Sequence, residues 1–308
     1  MRPPTLRRSQ TAAFGLALCC FACSGQVPRQ APGGEAPVAA TPATTAPTMR
    51  EQCAAHAAAL RARLPGPQFH VVLEPPFVVV GDGGVRAVER AAIQTVRWAR
   101  ERLLADFFTK DPDRVLEVWL FDGKASYQKH TKEVFGDVPT TPFGYYSSRH
   151  GALIMNIATG GGTLVHEIVH PYVEANVPGC PSWLNEGLGS LFEQSHDVDG
   201  HIRGLVNWRL DGLQEAIEQK RTVPLTTLVQ TTTAEFYGER SSLQYAQARY
   251  LLLWLQEHDL LLPFWKGWLE ARAEDPTGEA TLKQVLDVDD LAKFQPRLES
   301  WVARLRRE

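Results

Sequence analysis

The stretch Gly161-Gly162-Thr163-Leu164-Val165-His166-Glu167-Ile168-Val169-His170, followed by Pro181-Ser182-Trp183-Leu184-Asn185-Glu186-Gly187-Leu188-Gly189, decides how the rest of the chain is read. Leu164, Val165, Ile168 and Val169 around two histidines suit a buried helix, with Thr163 as its expected cap. Residues four apart on a helix lie one above the other, so His166 and His170 can present two imidazole nitrogens to one ion. Glu167 then points about 100° round the axis, beside that ion and not onto it, where a carboxylate can take a proton from water. Pro171 removes a hydrogen bond and is expected to bend the chain toward a second helix. The bland alternative is an amphipathic helix with hydrogen-bonded core histidines.

A third ligand separates the two readings. Pro181 suits the first turn of that second helix, and Trp183, Leu184 and Leu188 give it an apolar face on which Glu186 is the single acid. A carboxylate in such surroundings is costly unless a cation meets it, and a metal held by two histidines is such a cation. The competing reading is a surface acid near a helix end. His196 and His201 lie downstream, but Ser195 to Gly200 reads as loop, so both are expected to face solvent. Two His, one Glu and an open fourth position are the donor set of a catalytic Zn2+ site, in which zinc acidifies water and polarises a carbonyl.

His166-Glu167-x-x-His170 followed by Trp183-Leu184-Asn185-Glu186-Gly187 resembles the gluzincin clan of zinc metallopeptidases, in particular its peptidase-MA-like families. The resemblance covers about Ala152 to Gln194 closely and the segment around Tyr245 loosely. It implies a zincin-like fold, hydrolysis of an extended peptide with Glu167 as general base, and His166, His170 and Glu186 as metal ligands. It further implies that Ala152 to Ile157 edges the substrate groove, and that Tyr245, in Ser242-Leu243-Gln244-Tyr245-Ala246-Gln247, stabilises the oxyanion. Tyr237 or Tyr172 could take that role, and Tyr245 could instead be a packing aromatic. The chain departs from the thermolysin-like members in its short spacing between His170 and Glu186, and in Ser190 where they carry an acid. A metzincin would need Gly and His where this chain has Val173 and Asn176.

Working outward, Val71 to Leu73 and Phe77 to Val80 read as strands broken at Pro75-Pro76, with Gly81 to Gly84 as a turn. Val88, Ala92, Val96, Ala99, Leu103 and Phe107 recur at helical spacing and predict one long helix from Val85 to Phe108. Strands are expected at Val115 to Phe121, Phe143 to Ser147 and Ala152 to Ile157. Helices are expected at Trp208 to Lys220, Leu243 to His258, Pro263 to Ala273 and Leu291 to Arg306. Lys124 to Lys132 reads as a solvated helix face. The class is α+β: one zincin-like domain over 51–308, with a small mixed sheet in an N-terminal lobe (about 68–180) and a mainly helical lobe after it (about 181–308).

The N-terminus reads as an export signal. Arg2, Arg7 and Arg8 precede an apolar run, Thr11 to Ala22, too short to remain as a spanning helix. The run ends in Cys20-Phe21-Ala22-Cys23, which resembles a lipobox with Cys23 as the lipid-anchored residue, although Cys20 stands where leucine is usual. Residues 24–50, rich in Pro, Ala and Thr, lack the apolar side chains to offset ordering and read as a disordered tether. The expected location is the bacterial cell envelope, or outside the cell, with a peptide or protein substrate. Exported Cys53 and Cys180 are candidates for a disulfide, with two separate thiols as the alternative. Lys and Arg number 32 against 35 Asp and Glu, so no basic field invites a nucleic acid. A reading of another class competes with the hydrolase: a non-catalytic envelope lipoprotein that keeps the frame for binding or scaffolding.

Overall fold

A computed structural model describes residues 46–307; the expected export signal, Cys23 and nearly all of the expected tether lie outside the described residues. The described part starts with a helix, α1 (Met49–Arg61), so Met49 and Arg50 belong to the folded part and not to the tether. Its sequence signal is a capping box, in which the Thr48 hydroxyl accepts from the Glu51 N–H and the Glu51 side chain reaches back to Thr48. Cys53, Ala57 and Leu60 bury its inner face. His56 and Arg63 both reach buried Glu117 on the sheet, at 2.7 and 2.5 Å.

The strands fall close to where alternation and β-branched runs place them. β1 (His70–Glu74) and β2 (Phe77–Gly81) form a hairpin turning at Pro75-Pro76. The next helical stretch buries all six predicted apolar positions but is not one regular helix. It comprises α2 (Val85–Ala91), a π-helical run over Ala92–Arg97, and α3 (Trp98–Asp106). No proline or glycine marks that run in the sequence. Then come β3 (Leu116–Phe121), α4 (Lys124–Phe135), β4 (Gly144–Ser147) and β5 (Ala152–Asn156). Although solvated on one face, α4 buries Tyr127, His130 and Thr131 on the other.

The five strands make one mixed sheet in the order β1-β2-β3-β5-β4, in which β2, β3 and β5 are parallel and the outer strands antiparallel. Side chains alternate between its faces. Val78, Val80, Trp119, Phe121 and Ile154 face α1 and α4. Phe77, Val79, Val118, Leu120, Leu153 and Met155 face the opposite way, into the main core. Ala152–Ile157 was expected to edge the groove, and the sheet order corrects this. β5 is hydrogen-bonded on both sides, to β3 and β4, so it has no open edge; the edge strand is β4.

After β5 the chain enters α5 (Gly161–Asn176) and α6 (Ser182–Phe192), joined through Pro178-Gly179. The expected loop at Ser195–Gly200 is instead a hairpin, β6 (Ser195–Val198) and β7 (His201–Gly204), turning at Asp199-Gly200. The polar composition of β6 hid it from pattern reading. The remainder is helical: α7 (Arg209–Glu218), α8 (Leu225–Gln230), α9 (Thr233–Phe236), α10 (Ser241–Glu257), α11 (Leu261–Ala271), α12 (Glu279–Leu286) and α13 (Leu291–Arg304). One continuous apolar core takes side chains from the sheet, from α5 and α6, and from α10, α11 and α13. Residues 46–308 accordingly cluster as one unit, with a mixed α+β first part and a helical second part.

Cys53 and Cys180 are both free thiols. Cys53 lies in the cluster behind the sheet, whereas Cys180 packs against the main core on the other face. The sheet therefore stands between them, and the disulfide considered from the sequence is not formed.

Candidate metal centre

The centre is built on α5 and α6 where they cross. α5 starts on Gly160, whose φ of 109° is a conformation that favours glycine, and no side chain caps it; the expected Thr163 cap is already inside the first turn. A Cβ at Gly162 would lie 2.1 Å from the Glu193 carbonyl oxygen, so only glycine lets the start of α5 meet the end of α6 this closely. The helix runs on through Pro171 to Asn176, so the proline does not end it. α6 is fixed by Trp183, which is fully buried and donates its indole N–H to the Thr277 carbonyl at 2.9 Å. With Trp183, Leu184 and Leu188 in the core, Glu186 is carried inward, and it is only 4% exposed.

The structure brings the three sequence-predicted ligands together. His166 Nε2 is 3.2 Å and His170 Nε2 is 3.7 Å from Glu186 Oε2. One donor atom from each residue lies within 4.8 Å of the others. Donors about 2.0–2.2 Å from a tetrahedral ion sit roughly 3.3–3.6 Å apart, so the group matches a metal in size as well as in chemistry. Of the bland readings, an exposed acid at a helix end does not describe it, while hydrogen bonds satisfy the two histidines only in part. His166 Nδ1 is buried without a partner, and Glu186 faces inward.

Electrostatics couple the three groups to one another. Burial works to raise the Glu186 carboxyl, but the His170 and His166 imidazoles and the Tyr237 hydroxyl more than offset it and bring its pKa down to about 2. Glu167 is different: burial raises its pKa, and the two histidines only partly oppose that. Its Oε2 accepts the backbone N–H of Tyr146, on β4, at 2.8 Å and lies 3.9 Å from His170 Nε2. The carboxylate is thus beside the donor cluster without belonging to it, as its place on the helix requires.

The sequence reading missed what orients these groups. His170 Nδ1 faces Asn185 Oδ1 at 3.0 Å; a proton on Nδ1 directed to that oxygen leaves the Nε2 lone pair for the cluster. Asn185 is inside the Trp-Leu-Asn-Glu-Gly motif, and its neighbour Glu186 drew attention away from it. A Cβ at Gly189 would stand 3.1 Å from the His166 ring, so α6 presses on that imidazole through a bare backbone. Ser190, standing where an acid was looked for, is fully buried with its hydroxyl unpartnered.

Both nominated tyrosines line the cavity beside the centre, and they do different things. The Tyr237 hydroxyl donates to Glu186 Oε1, which turns Oε2 toward the histidines. The Tyr245 ring stacks on His166 with centroids 6.4 Å apart and planes 20° from parallel. Burial, then the Glu186 charge, raises the pKa of both hydroxyls, so both stay protonated donors at neutral pH. Tyr172, the third alternative, is buried and donates to Asp111, outside this cavity. His196 is exposed, and His201 pairs with Asp106 at 2.5 Å, so neither joins the cluster.

The cavity measures about 840 Å³ and is lined by residues of β4, α5, α6 and the connection between the two helices. Compared with known families and with curated proteins, the chain matches none, so its reading rests on the residues themselves.

Proposed function

We propose that this chain is a gluzincin-type zinc metallopeptidase acting on an extended peptide, and that the N-terminal signal delivers it to the cell envelope or beyond, anchored through Cys23. The observation that carries the proposal is the meeting of His166, His170 and Glu186 donors within 4.8 Å of one another, with Glu167 beside them. A buried acid beside such a cluster and not inside it favours the hydrolase over a non-catalytic envelope lipoprotein that uses the frame for binding or scaffolding.

A bound zinc ion supplies Lewis acidity toward a carbonyl oxygen and makes water a better acid. The protein does the rest. Glu167 takes the proton of the attacking water on its carboxylate and passes it to the leaving amine nitrogen. Its raised pKa suits a group that must accept a proton and then release it. Tyr245 and Tyr237 offer O–H donors to the developing oxyanion, and Tyr237 already holds the Glu186 carboxylate in place. β4 offers its open edge to the peptide as an added strand, correcting the role first given to Ala152–Ile157.

Metal analysis of the purified chain is expected to give close to one zinc per molecule, with hydrolysis of a mixed peptide pool lost on chelation and restored by zinc. Folded protein that takes up no zinc would end the proposal. Asn185→Ala is expected to weaken zinc binding by about 10–100-fold, the usual cost of losing a partner that orients a ligand. Competition with a coloured chelator measures this; unchanged affinity would mean that His170 needs no such support.

A further inference from the structure

The cavity wall is rich in acids, with Glu167, Glu174, Glu186 and Glu193 all contributing. Among the described residues, Arg209 is the one lysine or arginine that lines it. Arg209 starts α7, and its Nε donates to Glu193 Oε2 at 3.1 Å, an oxygen that also accepts from Asn207 Nδ2 at 3.2 Å. Its guanidinium carbon lies 4.3 Å from the Trp208 ring centroid and 5.2 Å from that of Tyr245. The side chain is 14% exposed, so the group is held from one edge and by two aromatic rings. Its two terminal nitrogens make no side-chain hydrogen bond within the described residues and are not sealed from solvent. A guanidinium fixed at Nε with its terminal nitrogens open is a preformed fork for a carboxylate.

Its position relates it to the centre. Tyr245 neighbours both, its ring centroid 5.2 Å from the Arg209 guanidinium and 6.4 Å from the His166 imidazole. An extended chain advances about 3.3–3.6 Å per residue, so Arg209 is no more than about three residues from His166 along a bound peptide.

α5 and β4 give the groove two distinguishable ends. α5 runs beneath it from Thr163 to Glu174, about 16 Å at 1.5 Å per residue. The Glu193–Arg209 pair is at the N-terminal end, since Glu193 packs on Gly162. Glu174 is at the other end, where it accepts from the Tyr146 hydroxyl at 2.6 Å. β4 runs the same way: Phe143, just before it, pairs with Asn156 at the approach to α5, while the Ser148 carbonyl, just after it, is held by Arg114 beside Glu174. A peptide added antiparallel to β4, the commoner pairing, therefore points its C-terminal end at Arg209. The helix dipole has the same sense, positive at the start of α5.

We infer that Arg209 selects substrates by a carboxylate on the C-terminal side of the bond to be cut, either the free C-terminus of a short peptide or an Asp or Glu side chain. This deepens the peptidase reading and rests on it for the direction of cleavage, but the subsite can be tested by binding alone. The experiment uses the full-length Glu167→Gln protein loaded with zinc and fluorescently labelled peptides of one sequence. These end in a free acid or an amide, or carry Asp or Asn at the positions after the central bond. The carboxylate form, terminal or side-chain, is expected to bind at least tenfold more tightly than its neutral counterpart, and the gap to shrink to within twofold in a second protein that also carries Arg209→Gln. Equal binding of charged and neutral forms overturns the inference without recourse to the Arg209 variant, and so does a gap that survives in that variant. Discrimination by the Glu167→Gln protein, with the zinc-loaded wild-type protein hydrolysing none of these peptides, leaves the subsite standing and removes the peptidase reading; wild-type cleavage that ignores the carboxylate does the reverse.

Discussion

Glu167→Gln is expected to keep its zinc and lose peptide hydrolysis by a factor on the order of 10²–10⁴, the usual contribution of a positioned general base. The substitution is nearly isosteric. The amide oxygen can still accept the Tyr146 N–H, so the side chain should stay where the carboxylate is now, 2.8 Å from that nitrogen. What is lost is the ability to carry a proton. Initial rates on a fluorogenic peptide mixture, with zinc content measured on the same sample, make the comparison. A variant that retains zinc and turns over like the parent would show that Glu167 is not the base, and the mechanism proposed for it would fall.

The second large effect is on stability. Metal that binds only the folded chain adds roughly 4 kcal/mol when its free concentration is about a thousand times Kd. A domain of this size gains about 2–4 °C per kcal/mol, so zinc should raise the melting temperature of the stripped protein by on the order of 10 °C. Glu186→Ala should abolish most of that rise, because the two imidazoles left on α5 then lack the buried carboxylate that now lies 3.2 and 3.7 Å from them. Differential scanning calorimetry with and without zinc is the measurement. A stripped wild-type protein that melts at the same temperature after zinc is returned would show that the three side chains hold no metal.

Much of this was legible before any coordinates. His166, Glu167 and His170 could be placed because a four-residue repeat on a helix fixes relative direction without reference to the rest of the chain. Glu186 could be placed because an isolated acid among Trp183, Leu184 and Leu188 needs a reason to be there. Sheet order could not be read, since Phe143–Ser147 and Ala152–Ile157 look alike as strands and only pairing with β3 decides which is inner. Asn185, Tyr146 and Arg209 were invisible for a related cause. Each acts through a contact between parts of the chain that local periodicity does not connect, such as the backbone N–H of Tyr146, whose usefulness has nothing to do with its side chain. The β6–β7 hairpin failed as a prediction because its strands are short and its residues mostly half-buried or exposed, leaving no two-residue apolar rhythm. The helix α1 did carry a local signal in Thr48-x-x-Glu51, and the alanine-rich run around it disguised that signal as linker.

The bond from the Tyr146 amide to Glu167 has one more meaning. The strand that would guide a ligand and the acid that would act on it are referenced to the same peptide unit. The contact is made by the backbone of Tyr146, so the side chain at that position can change without removing the link. Side-chain replacements along that strand can therefore alter what is accepted while the main-chain bond that orients the acid is kept.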